Sequence, residues 1–210
     1  DLAGNPVNSV FLSFTTASGS DTTAPTVTSI APRDGASDVP DNARLSKEKI
    51  MSGKPGAQRM TPSEALVETL AANGVTDVFG IVGSAYMDAL DIFPAAGIRF
   101  IPVAHEQGAA HMADGYARAS GRHGVCIAQN GPGVTNFVTA IAAAYWAHSP
   151  VVFITPETGS MTMGLGGFQE TEQLPIFSKI NRCQGNVNNP QRMAEIAGRG
   201  LNGAMLERRP

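Results

Sequence analysis

Hydrophobic positions along the chain follow two different patterns. Over residues 8–16 they alternate, with Val10, Leu12 and Phe14 set among polar neighbours, and this period of two predicts a strand. Residues 26–30 repeat the pattern briefly, and Pro25, Pro32, Gly35 and Pro40 break the extended pieces apart. From Thr61 the pattern changes. Thr61-Pro62-Ser63-Glu64 combines an N-cap threonine, proline at the first helical position and glutamate at the third, which predicts a helix opened by a capping box. Leu66 and Leu70 then share one helix face, and Asn73-Gly74 supply a left-handed stop. Continuous apolar runs follow at 75–82, 98–104, 125–129 and 151–155, and helical stretches lie between them at 84–93, 107–120 and 134–147. Strand and helix alternating at this spacing predict βαβ units, hence an α/β fold: an open parallel sheet with helices on both faces. A last helical stretch, 191–206, follows a polar Asn/Pro segment.

Composition divides the chain at the same place. Ahead of Lys47 there is no Lys, Met, Cys or His, and Ser and Thr are frequent. The expected plan is a β-rich segment at 1–46, a charged Gly/Pro-containing linker at 47–59, the α/β domain at 60–180, and a tail at 181–210 leading toward a further domain. Of the 210 residues, 42% are hydrophobic and 16% charged, which suits a buried core and argues against wholesale disorder. A net charge of −3 without a basic tract argues against nucleic acid or an anionic membrane as partner. No apolar run approaches the roughly 20 residues that span a bilayer, and residues 1–6 lack the basic and apolar regions of a signal peptide. Two cysteines form no disulfide framework. Cys126 lies in an apolar run and reads as a buried thiol, which points to a reducing, cytoplasmic setting.

In an open parallel sheet, ligands bind beyond the carboxyl ends of the strands. Three such junctions carry candidate chemistry. Gly80-Ile81-Val82-Gly83-Ser84 permits close backbone approach and offers Ser84 as a cap; His105-Glu106-Gln107-Gly108 sets a carboxylate directly after a buried strand; Gln129-Asn130-Gly131-Pro132-Gly133 opens a helix that carries Asn136. On residues alone, Glu106 is equally an ordinary first-turn acid complementing a helix dipole. Residue 109, four after His105, is alanine, so no zinc-binding HExxH is formed. The glycines from Gly131 keep only part of a dinucleotide fingerprint, and no Walker A sequence occurs. His123 follows a turn and reads as solvent-facing, while Trp146 at a helix end reads as core or interface.

The segments HEQGAAHMADGYARASG and GPGVTNFVTAIAAAYWAHSPVVFIT resemble the pyrimidine-binding domain of thiamine-diphosphate enzymes of the acetolactate synthase and pyruvate oxidase group. MTPSEALVETLAANGVTDVFGIVGSAYMDALDIFPAAGIRF and TPETGSMTMGLGGFQETEQLPIFSKI resemble the sulfoacetaldehyde acetyltransferase branch of that group, and the likeness runs over residues 60–180. The resemblance implies that Glu106 bonds N1′ of the cofactor's aminopyrimidine and favours the imino tautomer that removes the thiazolium C2 proton; partial desolvation of such a carboxyl supports proton sharing with a ring nitrogen. It further implies that Gly83, Ser84, Gly133 and Asn136 contact the pyrimidine, and that Phe168 and Gln169 border the substrate. The implied reaction takes sulfoacetaldehyde and phosphate to acetyl phosphate and sulfite. Mg²⁺ and the diphosphate belong, by the same resemblance, to a Gly-Asp-Gly motif that this sequence does not contain, so a homo-oligomer or a partner chain is expected to supply it. The glycine-rich loop 159–167 reads as mobile. The helix at 107–120, rich in alanine and glycine, is expected to pack against a partner.

Residues 1–46 bear a different likeness. DLAGNPVNSVFLSFTT resembles the closing strands of a bacterial Ig-like repeat and DTTAPTVTSIAPRDGASDVPDNARLS the opening of the next. Neither repeat is complete, so this part is expected to be poorly ordered. Four readings stand open on sequence: a portion of the acetyltransferase, the same domain from an acetolactate synthase relative, a non-catalytic Ig-like surface module, and a fusion of two unrelated coding segments with Met51 or Met60 as the original start.

Overall fold

The computed structural model describes residues 60–206 in full and three earlier strands as backbone: β1 (Ser9–Thr15), β2 (Thr26–Val27) and β3 (Gln58–Arg59). The expected partial sandwich and linker otherwise lie outside the described residues.

The first helix, α1 (Pro62–Ala72), begins as its sequence dictates. The Glu64 amide donates to Thr61 Oγ1 at 3.2 Å, and the Thr61 amide donates to Glu64 Oε2 at 2.7 Å. Gly74, at φ 76°, closes it in the left-handed region. The chain continues through β4 (Asp77–Gly80), α2 (Met87–Ile92), β5 (Arg99–Pro102), α3 (Glu106–Ser120), β6 (Gly124–Ile127), α4 (Pro132–Thr135), α5 (Val138–Trp146), β7 (Val151–Glu157), α6 (Gln173–Phe177), β8 (Cys183–Val187) and α7 (Met193–Leu206).

Six strands form one sheet in the order β5-β4-β6-β7-β1-β8, and every pairing in it is parallel. The strands β4, β6 and β7 are buried on both faces, so their side chains alternate between two cores. Val125 and Ile127 of β6 and Val152 and Ile154 of β7 face α1, α2 and α7. Cys126 and Phe153 face the opposite way, against Ala109, Ala110, Ala113 and Ala117 of α3 and Phe137, Ile141 and Ala144 of the next layer. The alanines let α3 lie close to the sheet. Each large apolar side chain buried in these cores contributes roughly 1.5–3 kcal/mol.

Several elements depart from the sequence expectation. β1 is a strand, as its alternation predicts, but it pairs in parallel with β7 and β8 rather than within an antiparallel sandwich. The α/β unit also runs past residue 180: β8 belongs to the main sheet, and Met193, Ile196, Ala197, Leu201 and Ala204 of α7 enter its core. The helix expected at 84–93 splits into a short 3₁₀ turn, Ser84–Tyr86, and α2. The one expected at 134–147 breaks at Asn136 between α4 and α5. His123 is half-buried rather than solvent-facing and its ring nitrogen bonds the Leu201 carbonyl at 3.0 Å. Trp146 is 75% exposed, which excludes a core position within this chain. Among the described residues no helix is long and apolar enough to cross a membrane.

Candidate functional site

The order of strands locates the site. The chain passes from β4 outward to β5, then returns across β4 to enter β6, so the strand order reverses between β4 and β6. At such a reversal the loops leaving the two strands part, and a crevice opens at their carboxyl ends. The three junctions singled out by sequence are the loops after β4, β5 and β6.

Glu106 is the first residue of α3, and the N-cap is His105, whose ring nitrogen Nδ1 accepts from the Gln107 amide at 3.2 Å. Its side chain is half-buried. Oε2 accepts from Asn136 Nδ2 at 2.9 Å. Oε1 makes no hydrogen bond among the described residues, and it lies 3.5 Å from where a Cβ on Gly133 would sit. A Cβ at Gly133 would touch the carboxylate at ordinary van der Waals distance and press more tightly on Gln129 Cβ, at 3.3 Å. The break between α4 and α5 leaves Asn136 at the end of a single helical turn, facing the β5 junction.

Beneath these groups lies Tyr86, fully buried. Its hydroxyl donates to the Ile81 carbonyl, and burial, with the nearby Glu106 carboxylate adding to it, holds the phenol well above its ordinary range. It stays protonated.

Gly83 also belongs to the site, through Gln129. A Cβ there would overlap Gln129 Oε1, the atom that accepts from the Ala85 amide at 3.3 Å. Ser84 lies beside it but is exposed, and Gly83 rather than a serine holds the N-cap position, without a side-chain bond. The expected capping role of Ser84 is thus overturned: the chain enters a 3₁₀ turn one residue early.

Phe168 and Gln169 approach from the loop after β7. Gln169 has a left-handed φ of 55°, and its carbonyl oxygen is 2.6 Å from where a Cβ on Gly131 would sit. Only a glycine admits that contact. Its amide oxygen Oε1 is buried without a hydrogen-bond partner, whereas Phe168 is 75% exposed. An unpartnered buried acceptor and a left-handed backbone meet at this one residue, which makes Gln169 a candidate ligand contact.

Glu106, Asn136, Gly133, Gly83 and Gln169 thus converge on the turn 129–133. The sequence names Gln129 and Asn130 in this junction but assigns neither a role. Asn130 is 3% exposed and donates to the carbonyls of both Phe168 and Gln169 at 3.0 Å. A polar Gln-Asn pair at the end of an apolar strand was the available signal, since buried amides require partners.

A carboxylate with one oxygen spare, a glycine floor and an orphaned amide acceptor fit a flat nitrogen heterocycle that bears hydrogen-bond donors. Among the described residues no three His, Cys, Asp or Glu side chains gather as a metal site. These residues do not fit Mg²⁺, and no step here runs through it.

Comparison with known proteins identifies the family. Residues 60–176 match the family model described as thiamine pyrophosphate enzyme, N-terminal TPP binding domain. The chain is 69% identical over 155 residues to the sulfoacetaldehyde acetyltransferase of Alcaligenes xylosoxydans xylosoxydans, covering 74% of this chain and 26% of that protein. It is 67% identical over 144 residues to the sulfoacetaldehyde acetyltransferase of Castellaniella defragrans, covering 69% and 24%. Against the acetolactate synthase of Mycobacterium avium the identity is 37% over 169 residues, covering 77% and 27%. The chain spans about a quarter of the length of these curated relatives. With the family model covering more than half of its residues, the chain belongs to the thiamine pyrophosphate enzyme family, as its N-terminal TPP-binding domain.

Proposed function

We propose that this chain is the pyrimidine-binding portion of a thiamine-diphosphate-dependent sulfoacetaldehyde acetyltransferase, and that Glu106 is its catalytic residue. The observation that carries the proposal is the Glu106 carboxylate, fixed at one oxygen by Asn136 and left free at the other beside Gly133. The high identity to two proteins named for that activity supports the acetyltransferase reading over an acetolactate synthase.

When bound, thiamine diphosphate supplies the carbon nucleophile of its thiazolium ring. Glu106 Oε1 is the oxygen available to the pyrimidine nitrogen, where it shares or holds a proton. Asn136 orients that oxygen by holding the other. Gly83 and Gly133 let their turns pack closely on Gln129 and offer backbone to the pyrimidine, and Ser84 stands at the rim. Gln169 Oε1 is an acceptor available to a ligand N–H, and the exposed Phe168 ring borders the aldehyde. The substrates are sulfoacetaldehyde and phosphate, and the products are sulfite and acetyl phosphate, a step suited to taurine-derived sulfonates.

The diphosphate and its Mg²⁺ are held by a second domain, carried by a partner chain or another copy in an oligomer. Two free cysteines, one of them fully buried, suit a cytoplasmic setting.

The test pairs this chain with one carrying the diphosphate-binding domain and follows C2 proton exchange of thiamine diphosphate in D₂O by NMR. Glu106→Gln lowers the exchange rate by about 10²–10⁴, the range of general acid–base catalysis. Unchanged exchange removes the role of Glu106. Sulfite release from sulfoacetaldehyde supports the acetyltransferase, and pyruvate consumption in its place supports the acetolactate synthase reading.

A further inference from the structure

The loop between β7 and α6 carries almost no apolar anchor. Met161, Leu165 and Phe168 are each at least 75% exposed and Met163 is 49% exposed, so hydrophobic burial does not hold the loop on the fold. Its internal hydrogen bonds join loop residues to one another: Thr162 to Gly159, Gly164 and Gly167 to Glu170. Among the described residues, the only hydrogen bonds from residues 159–171 to the rest of the fold are the two that Asn130 donates to the carbonyls of Phe168 and Gln169.

Asn130 is itself held. Its Oδ1 accepts from Gln129 Nε2 at 2.7 Å, and Gln129 Oε1 accepts from the Ala85 amide at 3.3 Å. An unbroken row of hydrogen bonds therefore runs from the turn after β4, through two side-chain amides on the turn after β6, to the loop after β7. Asn130 Nδ2 donates to both carbonyls and its Oδ1 accepts from Gln129, at a site 3% exposed. The partner carbonyls flank the left-handed Gln169, a conformation that its own side chain disfavours and that needs outside support.

We infer that Asn130 is a positioning residue, a clasp that holds the Phe168–Gln169 turn over the Glu106 crevice, with Gln129 setting its orientation. The consequence for substrate rests on the reading given above for Phe168 and Gln169; the clasp itself does not. By holding these two backbone carbonyls, Asn130 sets where the orphaned Gln169 amide and the Phe168 ring stand relative to Glu106.

The test uses the 210-residue chain without ligand. Hydrogen–deuterium exchange is compared for the wild type, Asn130→Asp and Asn130→Ala. Asp keeps the acceptor for Gln129 but sets an oxygen against two carbonyls; Ala removes the amide altogether. Both variants raise exchange in peptides covering 158–170 by tenfold or more, while peptides from β6 and β7 stay as protected as in the wild type. A loop unchanged in both variants overturns the clasp. Should a variant lose strand protection as well, the wild type decides: NMR of its Asn130 side-chain amide shows proton exchange at least tenfold slower than that of the exposed Asn202. Equal rates overturn the inference. A spectroscopic arm replaces Trp146 by Phe and Phe168 by Trp; adding Asn130→Asp lowers the indole anisotropy, and no change counts against the clasp. Failure of C2 exchange with these signals intact overturns the functional reading alone.

Discussion

Asn136 holds Glu106 from 30 residues away, its Nδ2 donating to Oε2 at 2.9 Å. Two loops that leave different strands are thereby locked at the point where the strand order reverses. A hydrogen bond to a charged group is worth about 1.5–3 kcal/mol. Asn136→Ala is expected to weaken thiamine diphosphate binding and slow C2 exchange by roughly ten- to a hundredfold in the paired assay. Asn136→Asp sets a second carboxylate against the first and costs more. Isothermal titration with the cofactor and the exchange assay together check both.

Glu170 responds to acid. Its carboxylate accepts amides from Gly164 and Gly167, and these bonds hold its carboxyl below the ordinary glutamate range. With the folded value lowered, the contribution to loop order is present above the unfolded value and lost as pH falls through the folded one. The amide resonances of Gly164 and Gly167 are expected to shift together over that acid window. Glu170→Gln removes the acid-dependent shift.

The two thiols differ sharply. Cys126 is fully buried, and burial alone pushes its thiol far above the usual range. Cys183 is half-buried at the start of β8. Under native conditions a maleimide is expected to label Cys183 and leave Cys126 intact, with both labelled in denaturant. Mass spectrometry of the tryptic peptides reads the outcome.

Phe153 anchors the core behind the site, tilted against Phe177 at a centroid distance of 4.7 Å and edge-on to Phe137 at 6.2 Å. Phe153→Ala is expected to cost about 3–5 kcal/mol, read as a lowered urea midpoint with little change in slope.

Much of the fold was legible because local rules and the global fold agree. The capping box at Thr61, the Gly74 stop and the apolar runs at β4, β6 and β7 each follow from a pattern within a few residues. β8 was not legible, since Cys-Gln-Gly-Asn-Val offers one β-branched residue in five and is a strand only because the sheet accepts it. The alternation around Val10 announces β1, but periodicity does not name a strand's neighbours, and both lie more than 130 residues away in sequence. At the site, the Glu106 junction was visible from strand order and motif. The bond from Asn136 and the hold of Asn130 on the loop after β7 depend on tertiary contact and leave no local trace beyond a polar pair after an apolar strand.

β1 lies between β7 and β8 and bonds to both, so the sheet is continuous only through a segment that precedes the matched region in sequence. Trimming the chain to begin at Met60 would leave an empty lane about two strand spacings wide, roughly 10 Å, bordered on each side by backbone groups with nothing to bond. A minimal domain cut at the family boundary is therefore a sticky object, and any extended peptide able to slide in alongside would be captured by it.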